Sequence, residues 1–326
     1  MRSPFTGGEV ITILENRELT YRKEKFSYTA NLYKCVDTEE LFTNESMDEV
    51  NIGQVYNQYR VRYGIPFADE IRDIRSIYGL AATKMSEILG FGENQYRLYE
   101  NGEMPSEANG KILKSILNYD IFCNIVKNAE NQFEAKEFAK ICAKLEGAKN
   151  RIAEMNKKRE VFVCPRSEAN GYAPQSYSRL KNIMLYLIER CNDVYNTKMN
   201  KLLFYVDFLS YKKRGIAMSG LAYKAIQYGP IPERYNFIYA SIEDIYSEIV
   251  EFPSGYSGDV LKAAVSPDMS AFSDDDINIL EQVVGAFKAS KANEISEISH
   301  KEDAWINNLM KNQYIPFSEA FTLKAL

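Results

Sequence analysis

The spacing of apolar residues changes near Pro66, and this change limits what the chain can fold into. Residues 8–43 alternate β-branched or aromatic residues with polar ones, most clearly in the segments 10–14 and 25–33. Such alternation is typical of a small sheet, bounded here by the Gly7-Gly8 turn. After Pro66 the apolar residues recur at helical spacing. The sequence therefore predicts an α+β chain that is predominantly α.

Two helical stretches follow the small sheet. In residues 66–118, glycines at Gly79, Gly90 and Gly102 separate short helices and predict a compact bundle. In residues 119–160, apolar residues at three-to-five spacing among Lys and Glu predict one long amphipathic helix. That helix either packs on its own domain or forms a dimer seam, and the small number of heptads favours packing.

Turn-forming residues at 164–176 predict the main domain boundary. A chain of 326 residues is long enough for two or three cores. We predict a β-rich module, a helical bundle, a helical linker and a mainly helical C-terminal domain, in residues 1–65, 66–118, 119–165 and 166–326. In the last domain we predict a short extended piece at 221–227 and helices at 178–191, 198–213, 233–250, 273–291 and 300–312.

Composition excludes several classes of function. His300 is the only histidine, so most histidine-based catalysis and any His-rich metal site are excluded. The five cysteines are scattered without a Cys-x-x-Cys pair, which argues against disulfides and zinc. No apolar run is long enough to span a membrane, and no signal peptide is evident after Met1. We expect a cytoplasmic, non-enzymatic protein with no cofactor, no metal and no membrane partner.

Residues 71–102 have the spacing of a helix-turn-helix. Met85, Ile88 and Leu89 would hold one helix, Gly90 would allow a tight turn, and two tyrosines would anchor the next helix. On the outer face of that second helix, Asn or Gln can pair with adenine and Arg with guanine. A lysine at the start of the preceding helix can contact phosphate. The candidate DNA-binding residues are Lys84, Asn94, Gln95 and Arg97.

The segment 71–105, which ends in Tyr-Glu-Asn-Gly-Glu-Met-Pro, resembles the helix-turn-helix of the XRE/Cro class. Within that class, Phe-Gly-Glu-Asn at 91–94 is most similar to MqsA-type antitoxins. The resemblance implies base contact by Asn94. The next base-contacting Arg of that family falls on Leu98 here, with Arg97 one place earlier, so operator sequence cannot be transferred.

The N-terminus resembles the same family but departs from its metal-binding pattern. MqsA-type proteins begin with two zinc-binding Cys-x-x-Cys pairs. Here the segments 3–7 and 35–40 stand in their place, and Cys35 alone remains of the four ligands. The resemblance therefore implies a zinc-ribbon-like module that has lost its metal and is held together by packing.

The charge of residues 66–118 supports an alternative without DNA. Six basic and eight acidic residues give this segment a net charge of −2, and the whole chain carries −5. Few phosphates would be neutralised by one copy, so binding would be weak and salt-sensitive. The alternative is a helical bundle with no DNA role. A homodimer would compensate for the weak binding, because each copy would present its own second helix of the helix-turn-helix to the DNA.

The C-terminal half carries polar residues within an apolar helical stripe. Lys201, Tyr205 and Asp207 lie among Leu202, Leu203, Val206 and Leu209. A lysine and an aspartate near tyrosines allow a small catalytic site, but the sequence supplies neither a base-activated nucleophile nor a metal shell. We therefore favour a hydrogen-bonded structural network.

Residues 176–312 resemble the Panacea domain, also called the SocA or GepA domain. The resemblance rests on Lys-Leu-Leu-Phe-Tyr-Val-Asp, Tyr-x-Ala, Tyr-Gly-Pro-Ile and Ser-His followed by Trp, in that order. It implies toxin neutralisation by direct protein binding. We expect His300 and Trp305 to be core residues rather than toxin contacts. The motif residues are Lys201, Tyr205, Asp207, Tyr223, Tyr228, Gly229, Pro230, His300 and Trp305.

Together the two halves predict an antitoxin with two partners, operator DNA and a cognate protein toxin. The helix-turn-helix would repress the operon, and the C-terminal domain would neutralise the toxin. The alternative is a stand-alone DNA-binding transcriptional regulator, or a proteolytic adaptor, of mobile-element origin. An enzyme ranks behind both.

Overall fold

The computed structural model describes residues 1–251 and 257–326 and shows a mixed α+β, mainly helical fold, as predicted. The strands are β1 (Val10–Tyr21), β2 (Glu24–Cys35), β3 (Leu41–Phe42), β4 (Tyr223–Ile226), β5 (Gly229–Pro232), β6 (Ile245–Glu251) and β7 (Ser257–Ala263). The helices are α1 (Glu45–Tyr63), α2 (Ala68–Tyr78), α3 (Ala82–Leu89), α4 (Gln95–Glu100), α5 (Glu107–Ser115), α6 (Tyr119–Asn128), α7 (Ala135–Leu145), α8 (Ala148–Arg159), α9 (Tyr177–Arg190), α10 (Asn196–Arg214), α11 (Tyr235–Ser241), α12 (Asp274–Phe287), α13 (Ala292–Ser299) and α14 (Asp303–Ile306).

The chain divides into two compact units. One contains Met1–Val55 together with Val161–Leu326, and the other is Tyr56–Glu160. Each unit is described by itself below. The four-part division into 1–65, 66–118, 119–165 and 166–326 stays a prediction.

The N-terminal sheet has strand order β1-β2-β3 and is antiparallel. β1 and β2 pair residue for residue from Val10 opposite Cys35 to Tyr21 opposite Glu24. The hairpin closes at Arg22 and Lys23, and both adopt positive φ. Alternate side chains of β2 are buried and supply the core of this small sheet, which is the alternation that the sequence predicts: Phe26, Ala30 and Leu32.

In the unit Tyr56–Glu160, the predicted single helix over 119–160 is instead three helices, α6, α7 and α8. Gly147, with φ of 79°, separates α7 from α8. Apolar residues of all three helices pack in one core with those of α2 to α5, among them Phe122, Val126, Ile141 and Leu145. Helical spacing persists through the breaks because all three helices face the same core, so spacing alone cannot locate the breaks.

In the other unit, α10 is the central helix, and every residue from 198 to 211 is buried. The helices predicted at 178–191 and 198–213 are confirmed by α9 and α10. The helix predicted over 233–250 is wrong beyond α11, because residues 245–251 form β6 and pair with β7. No helix of the described residues is long and apolar enough to cross a membrane.

Candidate functional site

Asp207 lies on α10 and organises the loop that follows the helix. Its fully buried carboxylate accepts hydrogen bonds from the backbone N–H of Met218 at 2.8 Å and of Ser219 at 2.6 Å. It also accepts from the hydroxyl of Tyr223 at 2.5 Å and from the Ser219 hydroxyl. Burial raises the pKa of Asp207, while these donors oppose that rise. The carboxylate thus fixes β4 against α10.

Lys201, one turn and a half earlier on α10, holds β5. Its ammonium is fully buried and donates to the carbonyl of Pro230 at 3.0 Å. Burial lowers the pKa of Lys201 to about 7. Gly229 has φ of 101°, and a Cβ at that position would lie 2.6 Å from Lys201 Cε. The Gly-Pro of the motif therefore allows the lysine to approach the backbone.

Tyr205 connects α10 to the end of the chain through Glu302. The tyrosine hydroxyl donates to Glu302 Oε1 at 3.2 Å. The same carboxylate accepts from the backbone N–H of Lys324 at 2.8 Å and of Ala325 at 3.0 Å. Glu302 is buried, and its role was not predicted from the sequence. The one sequence feature that could have indicated Glu302 is its position between His300 and Trp305 of the motif.

His300 and Trp305 pack on each other beside the β4–β5 turn. Their rings stack with centroids 4.3 Å apart, and Trp305 Nε1 donates to the carbonyl of Ile226 at 2.7 Å. Burial and the nearby charge of Lys201 lower the pKa of His300, which a hydrogen bond with the Tyr228 backbone opposes. Both side chains are half-buried, so they flank the core rather than lie in it.

These contacts converge on the β4–β5 hairpin. Among the motif residues, Tyr228 at the hairpin tip is different, because its side chain is 65% exposed. The predicted hydrogen-bonded network is present, and we call it the α10 network: Lys201, Tyr205, Asp207, Tyr223, Glu302, His300 and Trp305. Lys201, Tyr205, Asp207 and Trp305 each bond to backbone or to another side chain. Among the described residues, His300 Nε2 is buried without a hydrogen-bond partner. The bonded state of the other groups favours a support for the hairpin over a reactive centre.

A second buried ionic cluster in this unit was missed at the sequence level. Asp276, in the first turn of α12, pairs with Arg179 of α9 and Arg214 of α10, each at 2.7 Å. Burial would raise the pKa of Asp276, but the two guanidinium groups outweigh it and lower the pKa to about 2. The cluster ties three helices together. Because Asp276, Arg179 and Arg214 are far apart in the sequence, no local pattern predicts that they meet.

In the unit Tyr56–Glu160, α3 and α4 form the segment predicted to read DNA. Gly90 ends α3 with φ of 68°, as predicted, and Tyr96 and Tyr99 anchor α4 in the core. Tyr96 also donates through its hydroxyl to the carbonyl of Ile71 at 2.9 Å. Phe91 packs edge-on against Tyr99. The other side of α4 is therefore left at the surface.

The four candidate DNA-binding side chains fall into two pairs. Asn94 and Arg97 are exposed, and within the described part of the chain neither has a hydrogen bond or an ion pair. Lys84 instead pairs with Glu87 and with Glu137, each at 2.5 Å, which raises the pKa of the lysine. Gln95 donates to Glu103 at 3.0 Å. We call these four residues the α3–α4 surface.

The positions that stand for the two Cys-x-x-Cys pairs lie together. Ser3 Oγ donates to Cys35 Sγ at 3.0 Å, and Thr6 Oγ1 lies 3.6 Å from the same sulfur. Hydrogen bonds from Ser3 and Thr38 lower the pKa of Cys35 to about 6. One thiol among hydroxyls does not fit zinc, which takes thiolate, imidazole or carboxylate ligands. No metal-binding group of three or more His, Cys, Asp or Glu occurs in residues 1–251 and 257–326.

Comparison with known proteins gives one finding. A family model described as Antitoxin SocA-like, Panacea domain, matches residues 199–306, which is 108 of the 326 residues. The matched range contains the α10 network and the β4–β5 hairpin. The match suggests an antitoxin role with a protein toxin as partner. No curated protein and no solved structure matches the chain.

Proposed function

We propose that this protein is an antitoxin that neutralises a cognate toxin by direct binding and represses its own operon through a helix-turn-helix. The match of residues 199–306 to the SocA-like, Panacea domain carries the proposal. In this account the C-terminal domain binds another polypeptide and performs no chemistry of its own. The burial of Lys201 and Asp207 supports this, because their charged groups bond to backbone and are closed to a substrate.

The toxin-binding surface centres on the tip of the β4–β5 hairpin. Tyr228 is exposed there, while Lys201, Trp305 and His300 hold the backbone on either side of it. A rigid, exposed tyrosine is a favourable anchor for an interface, because little side-chain entropy is lost when it is covered. Ile306, which follows Trp305, is 52% exposed and is a second exposed apolar side chain of this domain.

DNA binding is assigned to the α3–α4 surface, as a helix-turn-helix of the XRE/Cro class. Asn94 and Arg97 are free to meet base edges, whereas Lys84 and Gln95 would first have to leave their carboxylate partners. We therefore assign base contact to Asn94 and Arg97, and keep Lys84 and Gln95 as supporting contacts.

The toxin arm is tested with the product of the reading frame next to this gene. Expression of that product alone should stop growth, and co-expression of the full-length protein should restore it. The Y228A variant should lose rescue, and Y246A is the matched control because Tyr246 is 50% exposed on β6. If the wild-type protein neither rescues growth nor co-purifies with that product, the antitoxin assignment fails and a stand-alone regulator replaces it.

The DNA arm is tested separately by gel shift with the promoter region of the operon. The double variant N94A/R97A should abolish the shift, while K111A, which removes an exposed charge on α5, should keep it. Unchanged binding by N94A/R97A would remove the α3–α4 surface from the proposal without affecting the toxin arm.

A further inference from the structure

The N-terminal sheet has one covered edge and one open edge. On the far side of β2, β3 pairs with Tyr33 and Lys34. Further along the same edge, the side-chain amides of α1 take the place of a strand. Gln54 bonds to both backbone groups of Thr29, and Asn51 bonds to both backbone groups of Asn31. Within the described residues, β1 pairs with β2 alone, so no strand covers its outer edge.

The open edge is long and regular. β1 spans 12 residues in unbroken one-to-one register with β2, a length of about 40 Å at the usual rise of a strand. Its sequence contains no Pro and no Lys, the residues with which proteins commonly block edge pairing. Ile11 and Leu14 on this strand are 48% and 38% exposed. Such an edge is a template for another strand.

The sequence of β1 is complementary to itself when two copies run antiparallel with Asn16 on the two-fold axis. Glu15 then lies opposite Arg17 of the other copy, and the axis generates this pair twice. The remaining pairs follow by symmetry: Leu14 with Glu18, Ile13 with Leu19, Thr12 with Thr20, and Ile11 with Tyr21. Apolar and opposite-charge cross-strand pairs both stabilise a sheet.

The neighbouring registers are less favourable. Because side chains alternate between faces, an antiparallel pair can shift its centre only to the next residue, which moves the pairing by two. Centring on Glu15 places two glutamates opposite each other and Ile13 opposite Arg17. Centring on Arg17 places two arginines opposite each other. Like charges directly opposite destabilise a sheet, so the charges select the register centred on Asn16.

We propose that two copies of this chain associate through β1 and form one continuous six-stranded antiparallel sheet with Asn16 at its centre. The occupant of the open edge is thus a second copy. This dimer does not require the proposed function. Where that function holds, one particle carries two α3–α4 surfaces, which compensates for the net charge of −2 in residues 66–118.

The oligomeric state of the full-length protein tests the pairing by analytical ultracentrifugation over a concentration series. The R17E variant should raise the dimer dissociation constant about tenfold or more, because it places glutamates opposite each other twice. The E15R/R17E double variant restores opposite charges and should recover the dimer. K111E, which reverses an exposed charge on α5 outside the N-terminal sheet, is the matched control and should not change association. A wild-type monomer at all concentrations, or unchanged association in R17E, overturns the proposal.

Disulfide crosslinking tests the register of the two β1 strands without weakening the dimer. In a C142S background, which removes an exposed cysteine, N16C should form an intermolecular disulfide under mild oxidation, because residue 16 faces its own copy. T20C should not, because Thr20 faces Thr12 of the other copy. Equal crosslinking of the two variants, or crosslinking of T20C alone, would contradict the Asn16 register.

Discussion

The α10 network and the α3–α4 surface use polar side chains in opposite ways. In the network, Lys201 and Asp207 are fully buried and form hydrogen bonds with the protein's own backbone. On the surface, Asn94 and Arg97 are exposed, and their side chains have no hydrogen bond or ion pair within the described residues. A buried polar residue that is bonded within the protein supports the fold, whereas an exposed one without such a bond is available for binding. Substitutions should separate the two cases, since the first kind costs stability and the second costs binding.

Asp207 should show the largest loss of stability. The variant D207A leaves the N–H groups of Met218 and Ser219 buried without an acceptor, at a cost of about 4 kcal/mol. Trp305 is the only tryptophan and lies in the same unit, so its fluorescence during urea unfolding measures the loss. D259A removes an exposed carboxylate and should stay within about 0.5 kcal/mol of wild type. Equal stability of D207A and D259A would contradict the role of the network.

Gly229 should come next. In G229A the new Cβ requires an unfavourable φ and a contact of 2.6 Å with Lys201 Cε, so we expect a loss of about 2 to 3 kcal/mol. G285A is the opposite control. Gly285 lies within α12 with open space around it, and alanine there should stabilise by about 0.5 to 1 kcal/mol. Urea unfolding of both variants checks this sign change, and a neutral G229A would show that the close approach is not required.

Asp276 should give a smaller, pH-dependent effect. Its pKa falls from 3.8 to about 2 on folding, so the folded state binds fewer protons than the unfolded state between these values. The stabilisation, about 2 kcal/mol, is therefore complete above pH ~4 and is lost as the pH falls towards 2. The difference in unfolding free energy between wild type and D276N should narrow accordingly in acid. A difference that stays constant from pH 5 to pH 3 would exclude this linkage.

The sequence predicted those features of the fold that depend on residues close together in the chain. Gly90 marks the end of α3, Tyr96 and Tyr99 mark the buried side of α4, and the spacing of Lys201, Tyr205 and Asp207 predicts a bonded network. For Gly90 and the two tyrosines the physical cause lies within a few residues of the pattern, so one sequence shows it. The partners of the network residues lie 11 to 97 residues away, so the sequence predicts that a network exists but does not identify its partners.

Long-range contacts account for what the sequence did not predict. The residues 245–251 carry apolar positions at helical spacing, yet they form a strand because residues 257–263 provide a partner. Glu302 is placed by the N–H groups of Lys324 and Ala325, more than twenty residues away. Asp276 likewise depends on Arg179 and Arg214, far earlier in the chain. In each case the sequence around the residue contains no periodic pattern that would identify its distant partner.

The α3–α4 surface should show the smallest effect on stability. N94A and R97A remove exposed side chains without partners in the described residues, so each variant should unfold within about 0.5 kcal/mol of wild type. K84A should lose slightly more, because two ion pairs with Glu87 and Glu137 disappear. Thermal unfolding followed by circular dichroism measures all three. If N94A or R97A lost as much stability as D207A, these side chains would serve the fold, and their contrast with the α10 network would disappear.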